Sequence, residues 1–205
     1  ELQNITATGL TLATSADVVV DGILGTNSDN VSGTLTIDSG NNVSFLTADS
    51  TFNALDVQAD DGVIISRNIT TDTGALSFDG NTDAAAGSDD DIQIAAGITL
   101  SSNSTLTFSA AGTNITGAGA LNLDADNGIT INNDLFTSGT TDINADSDAD
   151  GTGTLVVANS ATVDTQDNAL TITADDINLN TSGALDSGSA STTISVLAVI
   201  QGLER

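Results

Sequence analysis

Apolar residues alternate one for one with Thr, Ser, Asn or Asp in short runs along the chain: Leu35 and Ile37, Leu55 and Val57, Leu76 and Phe78, Leu106 and Phe108, Leu121 and Leu123, Leu170 and Ile172. Thr141 and Ile143 form a degenerate copy. A period of two over runs this short predicts strands with one buried face. Laid over one another, the second members of these pairs advance by 20 residues, then 21, 30, 15, 20 and 29. A strand module that returns about every 20 residues, with insertions and one short step, is the pattern of a solenoid.

The turns fit strands. Ala59-Asp-Asp-Gly62 and Ala125-Asp-Asn-Gly128 each separate one apolar run from a second, Val63 to Ile65 and Ile129 to Ile131. Asp-Gly and Asn-Gly relieve the strain of a sharp bend that needs φ > 0. Hairpins would satisfy the same turns locally but would not explain the recurrence, whereas each coil stacked on its predecessor does. The prediction is an all-β parallel solenoid of about eight to ten coils, a rod of roughly 40 to 50 Å at ~4.8 Å per coil. It forms one domain over residues 1–205, about 20 residues per coil, interrupted by acidic loops at 81–91 and 146–153.

Composition narrows the function. The chain has no Cys, Met, Trp, Tyr, Pro or His, its only basic residues are Arg67 and Arg205, and its net charge is −26. Without Cys there are neither disulfides nor thiolate metal sites. Without a cationic footprint, nucleic acid and anionic membrane surfaces are excluded as partners. No run approaches the ~18 apolar residues of a membrane-spanning helix. The start at Glu1, with neither Met nor a leader pattern, predicts a mature or excised portion of a longer product.

The acidity is almost entirely Asp, 26 residues against two Glu. Short carboxylates are favoured where they close turns or hold hard cations. Asp146-Ser-Asp148-Ala-Asp150-Gly151 sets carboxylates at alternate positions before a Gly, the opening half of a calcium loop. The closing bidentate Glu is missing, since Val157 stands at the twelfth position. Asp79, Asn81 and Asp83 repeat the alternate spacing without the Gly, and Asp89, Asp90 and Asp91 follow. Calcium is the expected cofactor at both loops, against the alternative of solvated loops that keep the rod soluble. The residue three past each apolar pair is Gly40, Asp60, Asn81, Ala111, Asp126, Asp146 and Asp175, which predicts carboxylates recurring at one place on the coil.

Catalytic chemistry is scarce. Asp60 with Asp61, Asp175 with Asp176, and the Asp89 cluster could serve as acid–base pairs in a polysaccharide-cleaving solenoid. Such enzymes also need sugar-stacking aromatics and basic groups, and here Phe is the only aromatic, with Phe45, Phe78 and Phe108 at or beside inward positions. No Ser–His or Cys–His pair can form. Thr34/Thr36, Thr105/Thr107 and Thr171/Thr173 are fragments of a water-ordering ladder, broken elsewhere by Asp, Gln and Asn.

The repeats, above all ALNLDADNGITINNDLFTSGTTDINAD (Ala120 to Asp146) and ALTITADDINLNTSGAL (Ala169 to Leu185), resemble the β-strand-repeat regions of large secreted bacterial surface proteins, the filamentous-haemagglutinin-like exoproteins and related adhesins. The likeness covers nearly the whole chain through compositional motifs. It implies a right-handed parallel β-helix, an extracellular, secreted or cell-surface location, and a non-catalytic stalk, matrix or filament role with a surface or matrix ligand. The distinct alternative is a self-assembling filament subunit, with the enzyme reading third. An open solenoid leaves backbone groups unpaired at its ends. The apolar run near the carboxyl end, with Ile194, Val196, Leu197, Val199 and Ile200, is therefore expected to contact identical copies or the rest of a longer chain.

Overall fold

The structure is a computed structural model that describes residues 2–85, 87 and 90–196. Three parallel sheets wrap into a β-solenoid of about eight turns of roughly 23 residues. The first face runs from Leu10–Thr14 to Asp176–Asn178 in eight strands, and the second from Val18–Val20 to Ala184–Asp186, also in eight. The third has seven strands, from Ser50–Phe52 to Thr192–Val196. In the first coil its place is taken by a four-residue helix, Gly25–Ser28. Ser28 Oγ donates to Thr51 O of the next coil at 2.8 Å, which seats this helix over the strand Ser50–Phe52.

The expected register holds through the first half: Leu35 faces Leu55 and Leu55 faces Leu76, with Ile37, Val57 and Phe78 beside them. The 30-residue step to Leu106 and Phe108 also stays on that face, because the loop of residues 80–91 bulges outward between coils. The 15-residue step does not. Phe108 is followed on the first face by Ile131, whereas Leu121 and Leu123 pair with Ile98 and Leu100 on the third. The short rung expected from the sequence is a change of face.

Inward positions alternate with outward ones on every face, so Val57, Phe78, Leu123, Ile131 and Ile172 are fully enclosed in one continuous core. Stacked rungs place like side chains over like. Phe78 and Phe108 are in register with ring centroids 5.7 Å apart and planes at 18°, and Phe45 meets Phe78 edge-on at 6.4 Å. Truncating such a ring to Ala costs roughly 3–5 kcal/mol.

The corners hold inward hydroxyls. Ser39, Thr71, Ser102, Thr137, Thr141 and Thr165 are buried at strand ends and bond to turn carbonyls or to one another. Turn carbonyls that face the core would otherwise lack donors, at about 1–3 kcal/mol each. Gly62 and Gly128 take φ of 122° and 119°, so the same Ala-Asp-x-Gly turn bends two different corners, first face to second and third face to first.

Candidate functional site

The loop after Thr141–Asn144 gathers Asp146, Asp148 and Asp150, each offering a carboxylate oxygen within 4.8 Å of the others. Asp146 is buried at 1 % exposure, while Asp148 and Asp150 face solvent. Asp146 anchors the loop: its Oδ1 accepts from Asp150 N at 3.1 Å and its Oδ2 from Gly151 N at 3.2 Å. Asp148 Oδ1 accepts from Asp150 N as well. Local desolvation, followed by the carboxylates of Asp150 and Asp126, holds the Asp148 carboxyl above the usual range, against the lowering effect of that N–H bond. Gly151 adopts φ of +85°, and Gly153 lies so close to the preceding strand that a Cβ there would fall 1.8 Å from Ala145 O.

In the other acidic loop, Asp79, Asn81 and Asp83 are held by local hydrogen bonds. Asp79 Oδ1 accepts from Asn81 N, and the exposed Asp83 accepts from Ala85 N, so each carboxylate closes its own turn. Asn81 turns inward instead and donates through Nδ2 to Ala111 O at 2.7 Å, Ala85 O at 3.3 Å and Asp90 Oδ2 at 3.5 Å. Asp89 lies outside the described residues.

Five other carboxylates act as clasps between coils. Asp17, Asp49, Asp91, Asp134 and Asp167 each accept, through one oxygen, a backbone N–H of the following coil: Asn42, Asn68, Asn114, Thr162 and Ser189. The Ser189 N–H holds the Asp167 carboxyl below its usual range. Asp suits this position because the carboxylate must reach the adjacent rung from a corner, and the extra methylene of Glu would carry it past the N–H.

On the strands, register keeps charges apart. Gln58 separates Asp38 from Asp79, Asp56 stacks on Thr36 and Ser77, and Asp142 stacks on Asn122 and Thr171. Among the described strand pairs, Asp164 and Asp186 alone stand carboxylate to carboxylate. The single acidic row expected from the sequence is divided between two corners and interleaved with hydroxyls. Thr82 Oγ1 donates to Asp60, and Ser147 Oγ donates to Asp126. Asp124 is pushed up by half-burial and, secondarily, by Asp142 diagonally across the third face. On the second face the outward row runs Val19, Ser44, Ile64, Gln93, Thr116 and Phe136, six coils without a charge, before it reaches Asp164 and Asp186.

Among the described residues, the core ladders are exposed at both ends. Leu12 is 40 % exposed although its register partner Ile37 is 2 % exposed, and Ile194 is 49 % exposed against 0 % for its partner Ile172. Val196, paired with Ala174, is half-buried. Leu197, Val199 and Ile200 lie outside the described residues. No helix among the described residues is long and apolar enough to cross a membrane.

No family model, curated protein or solved structure matches the chain.

Proposed function

We propose that the protein is a structural rod, a segment of an extracellular stalk, matrix or filament, whose ends are its principal contact surfaces and which carries no reaction. The observation that carries this reading is the pair of open core ladders, Leu12 at one end and Ile194 at the other, each continuing an enclosed row. A further β-coil stacked on either end would cover these side chains and pair the free strand edges. That coil belongs to a longer chain or to an identical copy. The repeat resemblance to filamentous-haemagglutinin-like exoproteins supports the surface location and the adhesive context.

Light scattering of the full chain at rising concentration separates the two sources. Polymers that shorten or vanish in Ile194→Asp and Val196→Asp, with the β-sheet circular dichroism retained, identify a filament subunit. A monodisperse monomer at all concentrations removes the filament reading and leaves the stalk. End-independent aggregation, equal in wild type and variants, would count against both.

The convergence of three carboxylates supports a second element, calcium at Asp146, Asp148 and Asp150. The expected result is a higher melting temperature in calcium than in chelator, corresponding to about 2.7 kcal/mol of added stability at a hundredfold excess over Kd, with the gain mostly lost in Asp148→Ala. Superimposable melts would leave this a solvated acidic turn.

A further inference from the structure

The three sheets do not finish alike at the amino end. Leu10–Thr14 and Val18–Val20 are the outermost strands of the first and second sheets, and no strand among the described residues pairs with their outer edges. Thr14 O accepts from Gly40 N, Val18 N donates to Asn42 O, and Val20 O accepts from Leu46 N, all toward the second coil. Backbone groups alternate sides along a strand, so those of Ala13 and Val19 point the other way, out of the rod.

On the third face the corresponding groups are already used. Ser50 N donates to Asn68 O and Phe52 O accepts from Asp72 N, which leaves Thr51 as the residue of that strand whose N–H and C=O point toward the amino end. Thr51 N donates to Ile23 O at 2.8 Å, and Thr51 O accepts from the buried Ser28 Oγ at 2.8 Å. Asn53 Nδ2 donates to Val31 O at 2.8 Å and so fastens the residues that follow the helix Gly25–Ser28. A second layer lies on that helix. The short turn Leu2–Asn4 packs against it, Asn30 Nδ2 donates to Gln3 O at 2.7 Å, and Ala7 forms a parallel bridge with Val31. Leu2 itself reaches the enclosed core.

We propose that Leu2–Asn4 and Gly25–Ser28 form a cap that closes the third sheet, so that identical copies do not continue the rod through its amino end. This rests on the reading of the protein as a rod whose ends are contact surfaces, and it decides at this end between a longer chain and a second copy. A copy stacked head to tail must extend all three sheets together, its strand Thr192–Val196 falling on the third face. That strand would meet a helix and a turn in place of a strand edge, and its backbone groups would be enclosed there without partners. The other two faces alone cannot continue a coil that has three sides.

Amide hydrogen exchange of the full chain, followed residue by residue by NMR, tests the cap. The Thr51 N–H is expected to exchange at least about a hundredfold more slowly than the Val19 N–H, since the cap encloses one and the other faces solvent. Equal rates would overturn the cap while leaving the rod reading intact. Light scattering of the wild type and of an Ala13→Pro, Val19→Pro variant tests the consequence for assembly. Proline removes the two outward N–H groups and none that bonds to the second coil, so the variant keeps its sheets, which circular dichroism checks. The same mass for both proteins at every concentration is expected. A wild-type mass above that of the variant would overturn the proposal, by showing that copies join through this end, and would favour the filament instead.

Discussion

Asp146 and Asp90 are both buried carboxylates in inserted loops, 1 % and 2 % exposed, and the chain holds them by opposite means. Asp146 divides its two oxygens between two backbone N–H groups, so its loop is closed by its own peptide bonds. Among the described residues, Asp90 accepts through Oδ2 from Gly87 N and sits beside Asn81, whose enclosed amide oxygen has no donor. Acidity alone therefore does not identify a cation site. What distinguishes the loops, among the described residues, is how the buried polar atoms are met: both Asp146 oxygens take backbone N–H groups, whereas Asn81 Oδ1 beside Asp90 takes none.

The sharpest way to break this contrast is to disturb each loop at its anchoring glycine. Gly153→Ala would set a methyl against the backbone oxygen of Ala145, which cannot move aside without unpairing a strand, so a loss of about 3 kcal/mol is expected in denaturant melts. Among the described residues Gly87→Ala meets the Asp90 carboxylate, a side chain that can rotate, and should cost less in stability. Equal losses at the two positions would show that the loops are anchored alike.

Next in size is Asp146→Ala, which takes the carboxylate away from the Gly151 N–H, at about 1–3 kcal/mol, while the Asp150 N–H keeps Asp148 Oδ1. That loss should appear in chelator and in calcium alike. A loss seen only in calcium would mean that the ion, not the backbone, holds Asp146.

The pH profile gives a smaller effect with a defined sign. Asp124 and Asp148 are held above the ordinary carboxylate range, so their ionisation opposes folding, and stability rises as pH falls through their raised values. Asp167 is held below that range, so its contribution is complete above an ordinary pKa near 3.8 and is lost as pH falls through the lower folded value. Thermal melts in low salt should thus show stability rising as pH falls from neutral into the mildly acidic range, and turning down once pH passes below the ordinary 3.8 of Asp167. A melting temperature that only falls from neutral pH downward would contradict this order.

Period-two alternation marks where a residue is enclosed, and for that reason the strands, the core Phe residues and the stacking of Leu35, Leu55 and Leu76 were legible before any coordinates. It does not report which of three faces encloses the residue. Leu121-Asn-Leu123 looks like Leu76-Ser-Phe78, and its Ala-Asp-Asn-Gly turn takes the same backbone as Ala-Asp-Asp-Gly, so the step from Phe108 crosses a corner unnoticed. Inward hydroxyls such as Thr71 and Thr137 are hidden for a related reason, because Thr is equally at home on a solvated strand. The Asp146 to Gly151 motif is local, and its residues converge as their spacing indicates. Between Asp79 and Asp83 the spacing marks local turns, Asp79 accepting from Asn81 N and Asp83 from Ala85 N, and alternate spacing alone gives no sign of the inward-turned amide of Asn81. Its partner Asp90 is nine residues on, brought back by the loop rather than by any repeat.

The Asp clasps have one more consequence. Each of the five runs from a corner of one coil to a peptide N–H of the next, and none reaches further along the rod. A coil copied in tandem would bring its own carboxylate and its own N–H, and would meet the same junction above and below. Reach is then a dimension that gene duplication can set in increments of ~4.8 Å without redesign of the joint, much as a chain is lengthened by links of one pattern.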